Sequence, residues 1–176
     1  GNDIDFCIID TNHSLPGELL DFIAVLPNLK DNAIVVLHDT NLPLRKHNSP
    51  KLGDQMGYAT KMVFDVAKGK KIICKTDNDD SCYDLPNISA IVTDKETIEN
   101  VRDLFSALSF RWNYIPNSNH IDLYSNYYSK FYSHEYGIYF RKLIDTQKIL
   151  ISSFKNHVVK SENSIEFKEI IKSIEE

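Results

Sequence analysis

Residues 5–40, DFCIIDTNHSLPGELLDFIAVLPNLKDNAIVVLHDT, decide the fold. Two short apolar runs rich in Ile and Val, Ile4–Ile9 and Ala33–Leu37, are each closed by acidic or polar residues. Runs of that kind predict central parallel strands covered on both faces. Between them apolar residues recur at Leu19, Leu20, Phe22, Ile23 and Leu26, close to helical spacing, with Pro16 in a first-turn position and Ser14 as the expected cap. Strand, helix, strand implies a right-handed parallel crossover. Lys30-Asp31-Asn32 supplies the turn into the second strand, where Asn takes the left-handed conformation that Gly usually fills.

Working outward, a polar stretch runs from Asp39 to Asp54, too long for a minimal connection, and carries the basic cluster Arg45, Lys46 and His47. Tyr58–Ala67 reads as a helix ended by Lys68-Gly69, KIIC at 71–74 as a short strand, and Ile88–Val92 as a further strand buried on both faces. One helix is predicted over Lys95–Leu108, capped by Thr93-Asp94. From Ser118 onward the chain becomes helical and aromatic, and an amphipathic terminal helix is expected over Lys160–Glu176. The aromatic set from Trp112 to Phe140 reads as core or subunit interface. The expected organisation is an α/β unit over 1–116 followed by a helical extension over 117–176.

The 176 residues are 42% hydrophobic with a net charge of −5, enough for one modest core and without the concentrated positive charge of a nucleic-acid binder. No apolar run approaches the ~20 residues that span a bilayer. Three cysteines, Cys7, Cys74 and Cys82, lack the close pairing of metal sites and fit a reducing cytoplasm. An apolar strand opening almost at the first residue leads to the expectation that Gly1 is not a natural start. Its uncovered edge is then expected to pair with a second copy or to leave the chain substantially unstable, with the aromatic helices as the other candidate dimer surface.

In open parallel sheets, ligands bind outside the carboxyl ends of the strands. Asp10, Asn12, His13, His38 and Asp39 all fall there. On neighbouring strands ~4.8 Å apart, the terminal carboxylates need a cation, a shared proton or a basic partner. Mg²⁺ suits such oxygen ligands, which makes Asp10 and Asp39 candidate metal ligands. His13 follows three residues after Asp10, placed to take a proton from an acceptor hydroxyl. Strand-end Asp residues also cap turns, and a lone His is commonly a satisfied loop residue.

The same stretch resembles the fourth strand, following helix and fifth strand of class I S-adenosylmethionine (SAM) methyltransferases acting on small molecules. The closest group carries strand-Asp-x-Asp-His-Ser and strand-His-Asp signatures, here IIDTNHS and VVLHDT. The resemblance runs best over Asp5–Thr40 and more loosely to about Pro116. It implies the carboxyl-terminal half of a Rossmann-like sheet of order 3-2-1-4-5-7-6 with a helical extension, SAM as methyl donor, and O-methylation of a small molecule or sugar hydroxyl. It further implies His13 as catalytic base, Asp10 and Asp39 as Mg²⁺ ligands, and Asn12, His38 and Arg45 as residues touching the acceptor. Asn12 stands where a second Asp is expected, and His38 or Thr40 where a further ligand is expected. The glycines at 1, 17, 53, 57, 69 and 137 never form the Gly-x-Gly cluster of a SAM-binding loop. Two other readings stand beside this one: a catalytically silent interaction domain of the same fold, and a metal-dependent hydrolase or hydroxylase-like protein.

Overall fold

The computed structural model describes residues 3–43, 58–73 and 87–162, with side chains described to 153. Within them lie β1 (Ile4–Ile9), α1 (Gly17–Val25), β2 (Leu29–Leu37), α2 (Tyr58–Val66), β3 (Lys70–Ile73), β4 (Ser89–Val92), α3 (Lys95–Glu99), α4 (Val101–Ala107), α5 (Ser118–Phe131) and α6 (His134–Glu162). The fold is mixed α/β. The four described strands form one open sheet of order β1-β2-β4-β3, in which β1 and β2 are parallel and β4 runs antiparallel to both its neighbours.

The two decisive runs pair in parallel, with Ile9 beside Leu37. The expected turn at Lys30–Asn32 survives as an irregularity inside β2, where the register with β1 shifts between Ile4 and Phe6. Asn32 takes the left-handed conformation there, with φ of 65°. Its N–H donates to the Thr93 carbonyl at 2.8 Å and Thr93 Oγ1 donates to the Lys30 carbonyl at 2.7 Å, so the kink is tied to the end of β4.

Three expectations are corrected. Ser14 is not the cap of α1: its hydroxyl donates to Asn12 Oδ1 at 2.8 Å, and the helix starts behind Pro16 without a side-chain cap. The single helix over 95–108 breaks at Asn100 into α3 and α4, while Asp94 does cap α3 through a reciprocal bond pair with Thr97. The first strand is covered on one face only. Cys7 and Ile9 share a face with Ala33, Val35, Leu37 and Ile91, and all of these except half-buried Cys7 are closed off by the helices. Phe6 and Ile8 point the other way and are 54% and 59% exposed, continuing across the sheet to exposed Ile34 and Ile72. The cause is one-sided packing: among the described residues the helices cover one face of the sheet.

The helices after 117 are locked to that layer by their aromatic residues. Tyr127 donates its hydroxyl to the Ala24 carbonyl at 2.7 Å and Tyr132 donates to the Ile23 carbonyl, both in the last turn of α1, where carbonyls lack partners within the helix. Phe105 of α4 meets Tyr128 edge-on at 5.1 Å between centroids, and Trp112 lies 6.2 Å from Phe140. Trp112, Tyr128 and Phe140 are fully buried, so this part of the aromatic set is core. Gly137 permits the close crossing of α5 and α6, since a Cβ there would stand 1.9 Å from Ser129 Oγ and 2.6 Å from the Ser125 carbonyl.

Gln147 of α6, fully buried, does for α4 what the tyrosines do for α1. Its Oε1 accepts from Trp112 N at 2.8 Å, and its Nε2 donates to the carbonyls of Phe110 at 2.9 Å and Leu108 at 3.2 Å. Replacing it with Leu strands the buried Trp112 N–H and takes a donor from the Phe110 carbonyl, while the Leu108 carbonyl keeps the Trp112 indole N–H; a buried group left unsatisfied costs roughly 1–3 kcal/mol. Gln147→Leu is therefore expected to lower unfolding stability by about 3 kcal/mol, read by chemical denaturation.

The tyrosines predict an alkaline limit. Burial, followed by the nearby Asp21 carboxylate, pushes Tyr124 up to about 12. Burial first, then neighbouring tyrosines, raises Tyr128 and Tyr132 as well. A group whose folded pKa lies above its unfolded value of about 10 stabilises the fold fully below that pH and loses the contribution as pH rises through the folded value. Stability is expected to hold to about pH 10 and to fall between there and pH 12 as phenolate forms, followed by ultraviolet difference absorbance against circular dichroism.

Candidate functional site

The parallel register that sets Ile9 beside Leu37 also sets Asp10 and His38 side by side at the strand ends, and the His38 N–H continues the ladder to the Ile9 carbonyl at 3.2 Å. Asp39 then adopts the left-handed conformation, with φ of 59°. Few non-glycine residues accept that backbone, and Asp and Asn are among those that do. On the β1 side the chain leaves through Thr11, Asn12 and His13 before entering α1.

Four of the expected residues converge. His13 Nε2 lies 3.1 Å from Asp39 Oδ2 and 3.7 Å from Asp10 Oδ1. His38 Nδ1 lies 3.1 Å from the same Asp39 oxygen and 3.5 Å from the same Asp10 oxygen. Asp39 is mostly buried, with 15% of its side chain exposed, whereas Asp10 is half exposed at 51%. The cluster is therefore open on the Asp10 side. On its far side, His38 Nε2 stands 3.3 Å from the Asn87 amide nitrogen just ahead of β4.

The other expected residues stand differently. Asn12 accepts from Ser14 through Oδ1 and hydrogen-bonds the Tyr114 hydroxyl, whose own pKa is raised chiefly by burial. Thr40, one of the two residues expected in a further ligand position, is turned away. It is fully buried, with its hydroxyl 3.0 Å from Ser89 Oγ and 3.3 Å from the Asn87 carbonyl, so it joins the β2 turn to β4. Arg45 lies outside the described residues, as do Lys46, His47, Cys74, Cys82 and the tail beyond 162.

Sequence reasoning missed Glu18. This carboxylate is fully buried in the first turn of α1, beside Leu19 and Leu20. A buried carboxylate needs donors, and it has them: the Thr11 N–H at 3.3 Å, the Thr60 hydroxyl from α2, and His13 Nδ1 at 3.0 Å. The one available signal was an acidic residue opening an apolar helical stretch five positions after the histidine, which the first-turn preference for Glu explains equally well.

Chemically, the arrangement gathers Asp10, His13 and Asp39 with one donor atom from each, all within 4.8 Å of one another. Ligands ~2.1 Å from a common Mg²⁺ stand about 3 Å apart, so the separations suit a shared cation after small side-chain adjustments. They equally suit a proton held between an imidazole and a carboxylate. Either way, the oxygens of Asp10 and Asp39 and Nε2 of His13 face one small volume in which positive charge is favoured. No family profile, curated protein or solved structure was found to match the chain.

Proposed function

We propose that this chain carries the acceptor-side half of a SAM-dependent O-methyltransferase site, with a small molecule or sugar hydroxyl as acceptor. The observation that supports it best is His13 Nε2 held beside two strand-end carboxylates at 3.1 and 3.7 Å, in the two motifs that carry the family resemblance. The strand order β1-β2-β4-β3 agrees with the 4-5-7-6 part of the order that the resemblance implies. The SAM loop belongs, in this reading, to elements outside the sequence given, in a cytoplasmic protein.

SAM supplies an electrophilic methyl group. His13 would take the hydroxyl proton on Nε2 as the bond between methyl and sulfonium sulfur breaks and that between methyl and acceptor oxygen forms, S-adenosylhomocysteine leaving. The ring then carries a carboxylate against each nitrogen, Glu18 at Nδ1 and Asp39 at Nε2, which balances the charge it gains. Asp10 and Asp39 would hold Mg²⁺, which supplies positive charge beside the acceptor oxygen. His38, on the open side with Asp10, orients the acceptor.

Calorimetric titration of SAM into the full-length protein is expected to show binding, and its absence would sink the proposal. In the same protein His13→Ala is expected to cut S-adenosylhomocysteine release, assayed against a panel of catechols and sugars, by roughly 10²–10⁴-fold. SAM affinity should be unchanged. Chelation followed by Mg²⁺ addition should remove and restore the rate.

A second reading, a non-catalytic interaction module, is favoured by the apolar sheet face of Phe6, Ile8, Ile34 and Ile72, exposed beside an edge of β1 that pairs with no other strand among the described residues. The partner in this reading is a second copy joined along β1. Small-angle scattering of the chain should then give a dimer mass that Phe6→Lys reduces to the monomer, and a monomer before mutation would refute it.

A further inference from the structure

We infer that the cleft between α4 and α6 is a binding site for a free α-amino acid with an aromatic side chain, held by both of its charges. The cleft lies in the helical layer and shares no residue with the strand-end cluster, so it stands apart from the methyl-transfer reading.

Its volume is about 590 Å³, within the range of small-molecule sites, and six residues line it: Arg102, Phe105 and Ser106 from α4, and Glu135, Tyr136 and Tyr139 from α6. Helical spacing puts each trio on one face, at i, i+3 and i+4 on α4, and with Glu135 and Tyr136 one turn before Tyr139 on α6. Phe105, only 2% exposed, forms the floor, while Tyr139 at the rim is 39% exposed. The Phe105 ring lies 4.5 Å from that of Tyr136 at 38° and 6.3 Å from that of Tyr139 at 73°. One ring stands across the other two, which makes a corner where a further ring can stack on one wall and meet the other edge-on.

The two helices bring opposite charges to this corner. Arg102 comes from α4 and Glu135 from α6, and among the described residues neither has an ion-pair partner, so the two do not neutralise each other. Arg141, further along α6, is by contrast matched by Asp122 at 2.8 Å. Ser106 spends its hydroxyl on the Arg102 carbonyl at 2.9 Å, which leaves the recognition of charge to Arg102 and Glu135.

That pair selects the class of ligand. An anion meets Glu135, a cation meets Arg102, and a neutral sugar leaves both charges unmatched. A zwitterion satisfies both: the guanidinium fork takes a carboxylate through parallel N–H···O bonds, and the Glu135 carboxylate accepts from an ammonium. An α-amino acid carries the two charges and its side chain on a single carbon. Its charged groups can therefore engage one helix each while an aromatic side chain enters the corner of rings.

The test is a titration of L-phenylalanine into the ¹⁵N-labelled full chain, followed by ¹H–¹⁵N correlation. Saturable shifts are expected at the six lining residues, with Asp10, His13 and Asp39 unmoved. 2-Phenylethylamine, which lacks the carboxylate, and 3-phenylpropionate, which lacks the ammonium, should each bind roughly tenfold more weakly. Arg102→Gln should bring L-phenylalanine down to the level of 2-phenylethylamine, because the carboxylate has lost its partner, and Glu135→Gln should bring it down to that of 3-phenylpropionate. Both substitutions fall on exposed side chains, and the dispersion of the spectrum reports that the fold is kept. Absence of saturable shifts at the cleft up to several millimolar overturns the inference. Equal affinity for the three probes overturns it as well, since the cleft would then recognise a ring and no charge.

Discussion

Parallel pairing of β1 with β2, in the register that sets Ile9 beside Leu37, is the constraint on which the other features depend. A shift of one residue would move Cys7 and Ile9 off the helical layer and put Phe6 and Ile8 into it, reversing every side chain of the strand. It would also separate the two strand ends, and with them the contacts of His13 and His38 to the same pair of carboxylate oxygens. The register is held at one end by core burial of Ile9 and Leu37. At the other, the kink at Asn32 is anchored on Thr93. Core and candidate site thus answer to a single alignment of two backbones.

The helices past 117 serve that alignment at a distance. α1 lacks a side-chain cap at its start and a glycine at its end, and its last carbonyls are satisfied by Tyr127 of α5 and by Tyr132 just past the end of α5. Because α1 carries Glu18 in its first turn, anything that lets the helix slide disturbs the His13 ring. Gln147 plays the matching part for α4, whose Phe105 packs against Tyr128 and Tyr132. The fully buried members of this aromatic region, Trp112, Tyr128 and Phe140, are better understood as scaffolding than as a surface for rings or sugars.

Much of this was legible in the chain. Apolar runs ending in Asp10 and Asp39 located the parallel strands and the convergence of charged residues beyond them, and Asn32 announced its left-handed turn. What was not legible depended on contacts between distant segments. Glu18 looks like any acidic residue in a first helical turn until Thr60, 42 positions later, is brought to it. Thr40 looks like a ligand beside Asp39 until Ser89 and Asn87 claim its hydroxyl. The break at Asn100 is invisible to periodicity, because the apolar positions on either side keep helical spacing across it. The outer face of β1, uncovered among the described residues, escaped the reading for another reason: composition reports that a strand is apolar, and it is silent on whether a second layer of structure lies over it.

Asp39 shows how backbone and side chain can place joint demands on one position. Its left-handed φ of 59° is tolerated by Gly, Asn and Asp and resisted by β-branched residues, while its carboxylate is the meeting point of two imidazoles. Random substitution at this position would mix two kinds of damage, misfolded turns and lost charge, and the mixture would exaggerate the importance of the carboxylate. Asn keeps the turn and removes the charge, and Gly keeps the turn and removes the whole side chain. Drift at this position is thereby confined to a very small alphabet, whatever becomes of the chemistry around it.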